Sequence, residues 1–199
     1  WMDIYKSNLK LTTRELYTRY WNNYVRESNI GNMRIDRIKR VHIVELYKEL
    51  LENKELATAT VHTLHVIIYG CFEDLVQDNA LQSNPAKKAF SRIGKRPAKK
   101  REPLTVKQQE NFITFVSESP TYRVYLPMFS FFLGTGVRVS ELMGLTWKDI
   151  DLFQGSVSIN HAMHYTNVNG KMTYHVTTPK SESGNRDIPL LMDLRKQLV

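Results

Sequence analysis

The sequence predicts a mainly α chain with a small antiparallel β-sheet, divided into a helical N-terminal part and an α+β C-terminal part. Three observations predict it. Apolar residues recur at helical spacing before residue 92, a basic stretch containing Gly94 and Pro97 interrupts them, and strand-like alternation is confined to the region after residue 154.

In chain order, "LTTRELY" offers Thr12 as an N-cap with Glu15 three residues on, a capping-box pattern. In "HIVELYKELLEN", Ile43, Leu46, Tyr47 and Leu50 fall at i, i+3, i+4 and i+7 and make one apolar helical face. Val61, Leu64, Ile68, Phe72 and Leu75 make a second stripe, which "QSNPA" ends because Pro85 disfavours helix at Asn84. Residues 1–92 therefore read as a small helical bundle, residues 93–102 as a basic linker and residues 103–199 as a second domain. There "LTVKQQENF" repeats the capping box with Thr105 and Gln108, and "YRVYLPMFSFFLGTG" is an apolar helix that Pro127 starts or kinks. "GSVSIN" and "KMTYHVTT" alternate as strands, "RDIPL" is a shorter third, and "NVNG" and "KSESGN" are turns. A helix begins beyond Pro189.

Lysine and arginine number 28 against 20 aspartate and glutamate, a formal charge of +8 and a pI of about 9.5. That balance points to a nucleic-acid partner. No apolar run reaches membrane-spanning length, and "WMDIYKSNLK" is neither a signal nor a transit peptide. The start at Trp1 reads as a fragment of a longer chain. The single Cys71 excludes an internal disulfide framework and fits a reducing, cytoplasmic setting. Charge concentrates in "KKAFSRIGKRPAKKR", which holds Lys87, Lys88, Arg92, Lys95, Arg96, Lys99, Lys100 and Arg101 and no acid. Two readings stay open for it: a solvated linker, or a strap that neutralises phosphates and releases counterions.

Candidate chemistry is sparse. His62 with His65 and His161 with His164 lack the cysteine or acid pattern of a zinc site, so no metal and no cofactor are expected. Asp149 and Asp151 read as turn and cap residues rather than paired carboxylates. The stretch "GTGVRVSELMGL" stands out, because Arg138 sits between two valines after glycines that permit a tight turn. Glu141 lies three residues on, so a helix brings the two side chains to one face. Spacing alone leaves a surface ion pair of little worth, or a guanidinium oriented for a phosphate.

"TGVRVSELMGLTWKDID" closely resembles the first catalytic motif of the tyrosine recombinases, the phage-integrase family, which reads T-G-x-R-x-x-E-L-x-x-L and then a D-I/D segment. Thr135, Gly136, Arg138, Glu141, Leu142, Leu145, Asp149 and Ile150 match it. "LKLTTRELYTRYWNNYV" and "TVHTLHVIIYGCFEDLVQDNALQSNPA" resemble the helical core-binding domain of phage and conjugative-transposon integrases, and "REPLTVKQQENF" resembles the opening of their catalytic domain. "TTPKSESGNRDIPL" resembles the hairpin carrying the family's catalytic lysine, here Lys180.

The resemblance implies strand exchange on double-stranded DNA at recombination core sites through a 3′-phosphotyrosyl link, integrating or excising a mobile element. Arg138, held inward, would stabilise charge on the non-bridging oxygens, Glu141 would orient Arg138, and Lys180 would protonate the leaving 5′-oxygen. It also implies protomers assembled as a tetramer on paired sites, no cofactor, and a place on the nucleoid in the bacterial cytoplasm. The two domains would clamp DNA with the basic stretch running along the duplex, and Thr58, Thr60 and His62 would approach base edges if they are not a plain helix cap. Departures matter too. Neither the family's H-x-x-R motif nor a nucleophilic tyrosine follows Pro189, and Tyr165 and Tyr174 precede the lysine hairpin. The expectation is a recombinase truncated at both ends that binds DNA without cutting it. A non-catalytic DNA-binding protein derived from the same fold is the alternative, and a helical protein-interaction module a more distant one.

Overall fold

In the computed structural model, which describes residues 1–94, 100–168, 170–179 and 182–198, the chain forms two units, Trp1–Lys100 and Arg101–Val199. The first holds helices α1 (Met2–Tyr5), α2 (Leu11–Tyr20, running into a π-helical turn at Trp21–Val25), α3 (Arg40–Glu52) and α4 (Thr58–Gln77). The apolar stripes of α3 and α4 face each other, and Ile43, Leu46, Tyr47, Leu50, Val61 and Leu64 are all 1% exposed or less. Each such aliphatic side chain contributes about 1.5–3 kcal/mol by leaving water.

Local detail departs from expectation at three places. Helix α2 starts at Leu11, so Thr12 lies inside its first turn rather than at the cap. The Lys10 carbonyl accepts from Thr13 and Arg14 N–H at 2.9 and 3.0 Å, which puts the cap at Lys10, ahead of Thr12. Helix α4 ends at Gln77, before Pro85. Asn79 takes a left-handed φ of 59°, and the Leu75 carbonyl accepts from Ala80 N–H at 2.9 Å, an end that asparagine tolerates. Ile93, expected in the linker, is instead buried with Ala86 and Ala89 in the first unit's core, while Lys87, Lys88 and Arg92 face solvent. Asn84 anchors this return, donating to the Tyr69 carbonyl at 3.1 Å and to Glu73 Oε2 at 2.8 Å and accepting from Ala86 N–H at 2.9 Å.

The second unit opens with α5 (Val106–Glu118), whose N-terminus is the expected box: Thr105 Oγ1 accepts from Gln108 N–H at 3.3 Å, and Gln108 Oε1 accepts from Thr105 N–H at 2.8 Å. Pro127 sits in the first turn of α6 (Leu126–Thr135) and starts it. After it come α7 (Val139–Gly144), strands β1 (Ile150–Asp151), β2 (Ser156–Ile159), β3 (Ala162–Val168), β4 (Lys171–Thr177) and β5 (Arg186–Pro189), and α8 (Met192–Gln197). The strands make an antiparallel sheet of order β1-β2-β5 and a separate β3-β4 hairpin, not one sheet. Strand β3 runs through the second histidine of the 161–164 pair, with His164 opposite His175. The core gathers Phe131, Val137, Val157, Ile159, Leu190 and Leu194. No described helix is long and apolar enough to cross a membrane.

Candidate functional site

The chain leaves α6 through Gly136, whose φ of 64° is left-handed and suits glycine. Thr135 does not cap α7; its hydroxyl donates back to the Phe131 carbonyl at 2.6 Å. The cap of α7 is Arg138 itself, in extended geometry. The next residues divide by environment. Val137 is buried in the core, Val139 is exposed, and the Arg138 side chain is 74% exposed. Arg138, expected to be held inward, instead stands out at the start of α7, because as the extended cap it leaves the core to Val137. What is interior is its partner: Glu141 is only 7% exposed.

Glu141 is gripped by two arginines. Its Oε1 accepts from Arg138 Nη1 at 2.6 Å and from Arg186 Nη1 at 3.2 Å. Its Oε2 accepts from the Arg138 backbone N–H at 2.9 Å and from Arg186 Nη2 at 2.8 Å. A buried carboxylate without such partners would be costly, and a bidentate guanidinium is the strong form of the contact. The Arg186 hydrogen bonds, helped by those of Arg138 and opposed by burial, hold the Glu141 carboxyl at about 2. Arg138 spends one side-chain donor on this and, among the described residues, keeps the others toward solvent. Arg186 was not legible from spacing, since it lies 45 positions from Glu141.

The other end of α7 is fixed as well. His161 Nε2 donates to the Gly144 carbonyl at 2.6 Å, and a side chain on Gly144 would press on His161 Cδ2 and Met163 N, both 3.1 Å away. Asp149 accepts from Thr146 N–H at 2.8 Å and Asp151 from Gln154 N–H at 2.8 Å, so both carboxylates serve turns. Lys180 lies outside the described residues. Tyr165 and Tyr174 pair across the hairpin with ring centroids 4.5 Å apart and both exposed.

In the first unit, Thr58 is the first residue of α4, whose cap is Ala57, and Thr60 and His62 come next in its first turns. The exposed His62 ring packs edge-on against Phe90 at 4.9 Å. Phe90 sits in the segment that carries exposed Lys87, Lys88 and Arg92, so these candidates share one neighbourhood. Lys100 and Arg101 are exposed. Lys95, Arg96 and Lys99 lie outside the described residues. Among the described residues, no group of three or more His, Cys, Asp or Glu could hold a metal ion.

Known proteins match the chain along the same division. The phage integrase N-terminal SAM-like domain matches residues 1–51, and the phage integrase family matches residues 102–188. The transposase from transposon Tn916 of Enterococcus faecalis is 27% identical over 173 residues, 87% of this chain and 42% of the relative. The Tn1549 transposon integrase, solved in complex with a circular intermediate DNA, superposes with a TM-score of 0.82 at 26% identity. That match covers 96% of this chain and 59% of the integrase chain. A lambda integrase dimer bound to a core site shares the fold alone, at a TM-score of 0.69 and 15% identity, over 96% of this chain and 62% of that one. The chain thus spans less than two thirds of the length of each of these proteins. With both domain matches in sequence order and the Arg138–Glu141 pair inside the second, the chain belongs to the phage integrase family of tyrosine recombinases.

Proposed function

We propose that this chain supplies duplex-DNA binding and part of the catalytic centre for site-specific strand exchange that integrates or excises a mobile element. Residues 1–92, extended by the buried Ile93, serve as the core-binding domain and residues 103–199 as part of the catalytic domain. The basic residues at the end of the first domain and between the two, from Lys87 to Arg101, lie along the phosphates. In the reaction, Arg138 stabilises charge on the non-bridging oxygens of the scissile phosphate while Glu141 orients it. Lys180 protonates the 5′-oxygen as it leaves the phosphorus, and a tyrosine outside residues 1–199 takes up the 3′-phosphate. No step calls for a metal, because arginine and lysine supply the positive charge. The working assembly is a tetramer on paired core sites, acting on the nucleoid.

The observation that carries this reading is Glu141, a buried carboxylate that holds an exposed guanidinium by one donor. A surface ion pair needs no buried member. The exposed Lys87, Lys88 and Arg92 beside His62 support the DNA-binding part. The test is fluorescence anisotropy of a labelled DNA duplex titrated with the chain. Between 50 and 200 mM salt the affinity falls on the order of a thousandfold if about six phosphates or more are contacted. Arg138→Ala lowers the salt slope by about one if Arg138 meets a phosphate. An affinity indifferent to salt would sink the proposal.

A further inference from the structure

We propose that Arg186 is a positioning residue for Arg138, acting through Glu141: by gripping both carboxylate oxygens it fixes the plane of Glu141, and so the direction in which Arg138 presents its guanidinium to a phosphate. The inference rests on the phosphate-binding reading of Arg138.

Arg138 and Glu141 alone make a poor orienting device. They are three residues apart on a short helix, and the arginine side chain is 74% exposed and joined to the carboxylate by a single guanidinium nitrogen. An exposed pair of that kind holds little free energy against the rotamer freedom of a long side chain. Arg186 changes the balance because it is itself anchored. Its backbone lies in β5 opposite Ile159 of β2, and Nη1 also donates to the Gly184 carbonyl at 3.3 Å. Its side chain is 31% exposed, against 74% for Arg138. The strand's alternation sets which way it goes: Arg186 shares a face with Ile188, which packs on the core, while Asp187 turns the other way and meets Ser158.

The two arginines therefore divide the work. Arg186 has both terminal nitrogens committed to protein oxygens, whereas Arg138 has one. Only Arg138 is available to a ligand, and Arg186 decides how it is held. A planar fork suits this, because an ammonium group is a point charge with rotatable donors and imposes no plane on the carboxylate. Arg186 also follows Lys180 in sequence, so the same contact joins the arginine's helix to the next strand, β5.

The test is NMR on the 199-residue chain, comparing wild type with Arg186→Gln, Arg186→Lys and Arg138→Ala, each checked for a native backbone spectrum. Wild type should show Arg138 Nε as ordered as the backbone and a Glu141 carboxyl still ionised at about pH 3. Arg186→Gln should release Arg138 to the mobility of a free surface arginine and raise the Glu141 titration by about 1–3 pH units. Arg186→Lys should keep much of the charge effect but not the order, which separates positioning from charge alone. If Arg186→Gln does not fold, Arg138 order in Arg186→Lys decides. An Arg138 that stays ordered without the Arg186 fork, or is mobile in wild type, overturns the proposal. DNA anisotropy with Arg138→Ala is the independent arm: an unchanged salt slope fails the phosphate reading while leaving the order measurement to judge Arg186.

Discussion

Tyr47 Oη lies 3.0 Å from Nδ1 of His65, so the buried tyrosine of α3 is tied to a half-buried histidine on α4. The ring of His65 stacks on Phe90 at 5.5 Å, which joins the two helices to the segment bearing Lys87, Lys88 and Arg92. A polar contact at the centre of an aromatic cluster thus fixes how the basic segment sits on the helical core.

The burial of His65 makes the first unit sensitive to mild acid. Burial, and then the nearby His62, hold the His65 pKa below its ordinary value. A depressed pKa in the folded state means that the unfolded chain takes up the proton first. The stability is complete above about pH 6.5 and is lost as pH falls through the lower, folded value. Urea midpoints measured from pH 8 to 5 should decline over that window, and His65→Phe should flatten the decline. Tyr47→Phe should cost about 1 kcal/mol at neutral pH.

Glu141 titrates in a different range. Its folded pKa of about 2 lies below the ordinary glutamate value, so its contribution is full above about pH 4.5 and is lost as pH falls toward 2. Allowing for the solvent around Arg138, that contribution is on the order of 2 kcal/mol. Glu141→Gln should remove it and leave a protein whose stability between pH 5 and 2 falls less steeply than wild type, measured by urea unfolding monitored by circular dichroism.

Glycine substitutions offer a graded test of packing. A Cβ on Gly31 would lie 2.3 Å from the carbonyl oxygens of Val25 and Arg26, which are backbone atoms and cannot turn aside. Gly31→Ala should cost about 2–3 kcal/mol. Gly144→Ala meets His161 and Met163 at 3.1 Å and should cost about 1 kcal/mol, loosening α7 from β3. Gly94 has nothing within 4 Å among the described residues, and Gly94→Ala should stay within about 0.5 kcal/mol of wild type. Three equal thermal shifts would contradict this packing.

The cap of α5 is a local test. Thr105→Ala removes the acceptor for Gln108 N–H and should cost about 1 kcal/mol, while Thr105→Ser should cost little. The two thermal midpoints decide it.

What could be read in the residues depends on the range of the interaction. The stripes of α3 and α4, the Thr105–Gln108 box and the Arg138–Glu141 pair all join residues a few positions apart, where the helical repeat alone places the partners. Thr12 shows the limit of that reasoning. A capping pattern in the sequence did not become the cap, because the Lys10 carbonyl closed the first turn ahead of it. Strand β3 was hidden because its alternation is written in His, Tyr and Asn on an exposed hairpin, which gives no apolar rhythm.

Composition and periodicity were enough to suggest the two-part plan, while the family and the role of Arg138 came from the resemblance of a whole motif, since spacing alone left that arginine open. Tertiary contacts were needed to establish that Arg138 is exposed while Glu141 is buried, that Ile93 belongs to the helical core, and that Arg186 completes the grip on Glu141. Those facts depend on which distant segments meet. Pairing β5 with β2 sets the face of Arg186, and a slip of one residue would turn that guanidinium away from the carboxylate.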